Sequence, residues 1–192
     1  MPDLPSYEEA LDRVRSEVDE LRRSETVPLE AATGRIIHET IRADRDQPPF
    51  DRSAMDGYAL RHQDLAAGGP LPSAGMVAAG DGTSPAVSPG CCIAIATGAV
   101  VPGGLDTVIQ HELTDRGDLQ GGPIRFEADG IKPGNAIHPQ GADAREGDAL
   151  VEAGECMDSI GCALAAATGA LTVQVRSRPR VFILTSGDEI IP

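Results

Sequence analysis

Apolar residues fall into two rhythms along the chain. Near the start, Leu11, Val14, Val18 and Leu21 recur at three- and four-residue steps, with charges between them. Side chains at those steps share one helical face, so the pattern predicts an amphipathic helix over Ser6–Arg23. Ser6 and Glu9 add capping-box spacing at its start. Leu29–Thr33 reads as a short helical turn ended by Gly34, and Arg35–Ala43 as extended chain.

Farther on the rhythm shortens. Met76–Ala79, Cys92–Ala96, Thr107–His111 and Ile124–Glu127 are brief apolar runs separated by Gly, Pro, Asp and Ser clusters. Such punctuation predicts short strands in a small β-barrel or sandwich. Asp46–Asp56 is polar and irregular, with Pro48 and Pro49 barring helix. Tyr58 onward alternates only weakly, and Lys132–Asp148 is rich in turn residues. Asp158 or Ser159 caps an Ala-rich helix that ends near Gly169, and Leu171–Val175 alternates as a strand. Arg180–Thr185 is a continuous apolar run, suited to a strand buried on both faces. A lone strand cannot cover both its faces. The run and the Gly-containing turn after it are expected to open a further α/β domain that continues past Pro192.

Composition narrows the function classes. Aromatic residues are only 3% and Trp is absent, so the core must come from Val, Ile, Leu and Ala. The net charge of −14 speaks against non-specific nucleic-acid binding, which needs clustered Lys and Arg. An anionic substrate would need a bound cation or a local basic patch to reverse that field. No run approaches about 18 uninterrupted apolar residues, so no membrane span is expected, and no secretory leader is visible. Cys91, Cys92, Cys156 and Cys162 have no zinc-type spacing and read as free thiols of a cytoplasmic protein.

Three segments offer chemistry. Pro48–Ala59, PPFDRSAMDGYA, sets the carboxylates of Asp51 and Asp56 beside Ser53, Arg52 and Gly57. Gly57 allows a positive φ or close backbone approach, and a carboxylate beside it suits Mg²⁺ or a water. The alternative is a solvated loop with Asp51 as an ordinary cap. Ala96–Gly104, ATGAVVPGG, joins the Thr97 hydroxyl to the flexible Gly98, a pairing able to donate to an anionic oxygen or simply to close a hairpin. Thr185–Glu189, TSGDE, offers Asp188 and Glu189 to Mg²⁺, or else caps a helix. His38, His62, His111 and His138 read as structural or surface residues. No nucleophilic triad, Walker loop or G-x-G-x-x-G is present.

Taken together, these segments resemble the molybdopterin molybdenumtransferases, called MoeA in bacteria and represented by the gephyrin E domain in animals. PPFDRSAMDGYA resembles the family's most specific motif. ATGAVVPGGLDTVIQHE, then GADAREGDALVEAG and GALTVQVRSRPRVFILTSGDE, follow in the family's order. The resemblance implies a mainly β fold with some α (α+β). Residues 1–24 would be an N-terminal helix. Residues 25–47 plus 140–175 would form an elongated β-rich domain, with a small β-barrel-like domain inserted at 48–139. Residues 176–192 would begin a truncated α/β pterin-binding domain.

The implied reaction takes adenylylated molybdopterin and molybdate, releases AMP, and needs Mg²⁺. Asp56, Thr97 and Glu189 resemble the family's catalytic residues. Ser53, Gly57, Gly98, Asp143, Ser186 and Gly187 are expected at the cofactor, and Asp188 and Glu189 at the metal. The resemblance also implies a homodimer, with Asp56 and Thr97 acting in trans to Glu189, and no turnover by this chain alone. Ala136 and His138 stand where many members carry Asn and Arg, Ala142 where Glu is common, and Ser186 where Thr is common. His does not reproduce the guanidinium fork. These departures keep open a non-catalytic dimerisation or scaffold module of the same family.

Overall fold

The computed structural model describes residues 5–18, 23–82, 85–127 and 129–183. Leu21 and Thr185–Glu189, read above as helix and turn, lie outside them. In chain order the first elements are α1 (Tyr7–Val18), β1 (Ser24–Pro28), β2 (Ile41–Arg42), β3 (Arg52–Ser53), β4 (Gly57–Leu60) and α2 (His62–Ala66). There follow β5 (Ser73–Val77), β6 (Cys92–Ile95), β7 (Thr107–Gln110), β8 (Ile137–His138), β9 (Ala149–Val151), α3 (Ser159–Ala167) and β10 (Thr172–Arg176). The fold is mainly β with few helices. It divides into two compact units, one of Met1–Arg42 with Ala149–Pro192 and one of Ala43–Asp148, which encloses the insert expected at 48–139.

The first unit is made of ribbons. β1 and β10 pair antiparallel from Ser24↔Arg176 to Pro28↔Thr172, and β2 pairs with β9. Alternate positions of the long ribbon face inward, so Val27, Val173 and Val175 meet Ile37, Val151, Met157 and Ala165 in one core. Asp158 starts α3 by accepting the Gly161 N–H at 2.7 Å, a bond the free first turn of a helix lacks otherwise. The buried Arg35 guanidinium pairs with Glu25 and donates to the Arg176 carbonyl at 2.9 Å, tying both strands of the ribbon. At α1 the expected capping box is present: Ser6 N donates to Glu9 at 2.8 Å, and Glu9 N to Ser6 Oγ at 3.2 Å. Of its apolar stripe, Leu11 is half-buried and Val14 is 59% exposed.

The strand expected at Arg180–Thr185 is described only as far as Ile183: Val181–Ile183 has no regular structure, and Phe182 is 85% exposed. A strand needs a neighbour for its backbone groups and a layer on each side. The described residues supply neither.

The second unit holds a four-stranded sheet in the order β5-β6-β4-β7, open at β5 and β7. β4 lies antiparallel to both neighbours, while β5 and β6 run parallel. All four residues of β4 are buried. Ala59 faces Val77, Ile93, Ile95 and Val108, whereas Tyr58 and Leu60 face Leu71, Cys92, Ile109 and Ile124. Two cores, one on each side, explain why the sequence shows no clear alternation here. Two strand expectations shift in detail: Ile124–Glu127 makes only the isolated bridges Leu71↔Ile124 and Thr114↔Phe126, and the strand expected at Met76–Ala79 starts earlier, at Ser73.

Candidate functional site

Asp56 is the residue immediately before β4, and Thr97 lies just beyond the end of β6. Because Gly57 pairs with Ile95, the two ends emerge side by side. The Asp56 carboxylate oxygen Oδ1 accepts the Thr97 backbone N–H at 2.7 Å and the Thr97 hydroxyl at 2.8 Å. Gly98 turns the chain at φ +81°, and its N–H donates to the Ser53 carbonyl at 2.8 Å. Ser53 N returns a bond to Ala99 O at 2.9 Å, so the Thr97 turn and the Ser53 strand are clipped together twice. The Ser53 hydroxyl donates to Met55 O at 2.6 Å and shapes the turn that delivers Asp56.

Gly57 meets the need for close approach rather than for a positive φ. A Cβ at this position would lie 2.0 Å from the Ile109 carbonyl oxygen. The Asp56 turn is held from a second side by Ala136, whose carbonyl accepts the Ala54 N–H at 2.9 Å. Ala136 itself sits at φ +49°, a left-handed conformation that Asn tolerates better than Ala.

The two Thr97 bonds hold the Asp56 carboxyl below the usual carboxylate range, the backbone N–H contributing most. His111 acts in the same direction, and the slight burial of the group opposes. Asp56 is therefore ionised at neutral pH. It is exposed, and among the described residues its Oδ2 has no partner.

The remaining expected residues divide. Ser53, Asp56, Thr97 and Gly98 form the one constellation just described. Asp143 belongs to a neighbouring cluster, where it meets His138 Nε2 at 3.0 Å and Arg52 at 3.9 Å. Arg52 and His138 face each other across β3 and β8, next to Ser53. Asp51 accepts the Gln140 N–H at 2.8 Å, a structural cap. Ser186, Gly187, Asp188 and Glu189 lie outside the described residues. Sequence reasoning took His111 as structural or surface; one step past the Gly57–Gln110 pair, its backbone N–H donates to the Asp56 carbonyl at 3.2 Å. No local signal in the chain gives that pairing. Grooves of about 430, 480 and 490 Å³ lie elsewhere, none lined by Asp56 or Thr97.

Among the described residues no group of three His, Cys, Asp or Glu side chains gathers as a metal site requires. No helix among them is long and apolar enough to cross a membrane.

The chain as a whole is similar to known proteins. Residues 5–169 match the family model described as the MoeA N-terminal region (domain I and II). The molybdopterin molybdenumtransferase of Synechococcus elongatus is 34% identical over 194 residues, covering 97% of this chain and 47% of that protein. The enzyme of the same name from Haemophilus influenzae is 34% identical, covering 94% and 45%. A molybdopterin biosynthesis MoeA protein from Pyrococcus horikoshii superposes with a TM-score of 0.78 at 33% identity, covering 92% of this chain and 45% of that one. The chain thus spans about half the length of the relatives it matches. With the family model covering most of its residues, the chain belongs to the MoeA family of molybdopterin molybdenumtransferases, whose N-terminal region it carries.

Proposed function

We propose that the intact protein is a molybdopterin molybdenumtransferase of molybdenum cofactor biosynthesis, which inserts molybdate into adenylylated molybdopterin and releases AMP. The observation that carries the reading is the Asp56–Thr97 pair. It is an exposed, ionised carboxylate, fixed on one oxygen by two donors and open on the other. The names of the relatives support the substrate class.

A carboxylate in this state is a poor proton donor at neutral pH. Its chemistry is to accept: a hydrogen bond from a substrate N–H or O–H, or a proton from a water it orients. Thr97 removes the freedom of the group to rotate, so the open oxygen meets the substrate in one direction. The homodimer, with Asp56 and Thr97 of one subunit serving Glu189 of its partner, belongs to the same proposal.

Mg²⁺ would supply positive charge to counter the pyrophosphate and the oxyanion. The described residues do not fit such a site by themselves. Mg²⁺ takes about six oxygens in near-octahedral array, and among the described residues no group of three His, Cys, Asp or Glu side chains gathers at Asp56. Asp188 and Glu189 are the expected ligands.

The test uses the full-length protein, with AMP release from adenylylated molybdopterin measured in the presence of molybdate. Wild type is expected to turn over, and Asp56→Asn to lose activity by roughly a hundredfold or more. Unchanged turnover in that variant would remove Asp56 from the chemistry. Absence of AMP release by wild type, with the dimer intact, would shift the reading to a non-catalytic module.

A further inference from the structure

A histidine follows directly on β7, at the end of the sheet where Asp56 precedes β4. Gly57 pairs with Gln110, so one step outward Asp56 faces His111. Residues directly opposite in an antiparallel pair project to the same face of the sheet. The ladder does continue by that step: the His111 N–H donates to the Asp56 carbonyl oxygen at 3.2 Å.

The ring is tightly placed. It meets Tyr58 edge-on, with centroids 5.0 Å apart and an interplanar angle of 82°. Tyr58 is itself immobile: it is fully buried, stands edge-on to Phe126 at 5.9 Å, and donates its hydroxyl to Asp118 at 2.5 Å. Against this wall His111 Nδ1 is buried with no hydrogen-bond partner. A buried polar atom left unpaired costs stability, and a phenyl ring would stack on Tyr58 without that cost. Packing alone does not account for a histidine here. A polar ring beside an acidic side chain on the same face does.

We propose that His111 is a positioning residue for Asp56, holding the carboxylate in its working direction and acting on the reaction through it. The inference rests on the molybdenumtransferase reading above. The field of the ring favours the ionised carboxyl, as the Thr97 donors do. Thr97 bonds the carboxylate from beyond β6, while His111, just past β7, bonds the Asp56 backbone carbonyl and sets its ring on the same side as Tyr58.

The test compares His111→Phe and His111→Asn in the full-length protein. Phe keeps the stacking on Tyr58 and removes both nitrogens. Asn places an amide near Nδ1. His111→Phe is expected to lower kcat about tenfold with KM within about twofold, and His111→Asn to restore most of it. The Thr97 amide proton, read by NMR in threonine-labelled protein, reports its bond to Asp56 without any substrate. It is expected to move in His111→Phe and to return towards wild type in His111→Asn. Wild-type turnover in His111→Phe, an unmoved Thr97 amide, or equal loss in both variants would each overturn the proposal. Absence of AMP release by wild type would instead remove the reaction, leaving the amide comparison to judge His111 on its own.

Discussion

Two strands of nearly equal length, β4 and β10, are built on opposite plans. β10 reads TVQVR and buries only Val173 and Val175, leaving its other face partly or fully open. β4 reads GYAL and buries everything, because it lies between β6 and β7 with a core on either side. A one-sided ribbon can yield outward when a side chain changes. A central strand has nowhere to yield. Asp56 is attached to the strand with no slack, and its direction is inherited from a sheet fixed on both faces.

Glycines of the two units test that contrast most severely. In Gly57→Ala the new Cβ would meet backbone, the Ile109 carbonyl, at 2.0 Å. β4 and β7 would have to part, and a loss of about 3 kcal/mol or more is expected in urea unfolding of the second unit. A near-neutral result would mean that β4 is not confined as described.

Next comes the alkaline limit of the same strand. Burial, then the bond to Asp118, push the Tyr58 hydroxyl up to about 12 from an ordinary value near 10. The folded state therefore favours the neutral phenol. That contribution is complete below pH ~10 and is lost as the pH rises towards about 12. The chain has two tyrosines, so in Tyr7→Phe the phenolate absorbance reports Tyr58 alone. It is expected to develop together with unfolding, not before it.

A smaller effect, of opposite sign, is expected at Ala136. A left-handed Ala costs roughly 1–2 kcal/mol, and the added freedom of Gly in the unfolded chain returns part of that. Ala136→Gly should stabilise by about 0.5–1 kcal/mol in thermal unfolding, and a loss would show that the methyl is packed usefully. The smallest effect belongs to the first unit. At Gly161 an added Cβ would meet the Met157 sulfur at 2.8 Å, the flexible part of a side chain able to move aside. Gly161→Ala also gains helix propensity, so a net change within about 1 kcal/mol is expected. A loss matching that of Gly57→Ala would erase the distinction between the units.

What the sequence made legible was local. The Ser6–Glu9 box and the Asp158 cap need only residues three apart, and both are formed. β6 and β7 were visible because their apolar runs are bounded by turn residues. β4 was not, since burial on two faces removes the alternation that marks a strand. The motifs marked Asp56 and Thr97, but their direct bond spans 41 positions and needs the β4–β6 register. His111 depends in the same way on β7.

The Asp56–Thr97 bond depends on the register of β4 with β6. Leu60 and Cys92 lie at the far ends of β4 and β6 from that pair, so the excursion between them departs from the opposite edge of the strands. That excursion carries β5, whose Val77 lies in the core with Ile93 and Ile95, so a residue added within β4, β5 or β6 would slip a register of the sheet, whereas the exposed turn at Gly80–Gly82 lies outside the strands.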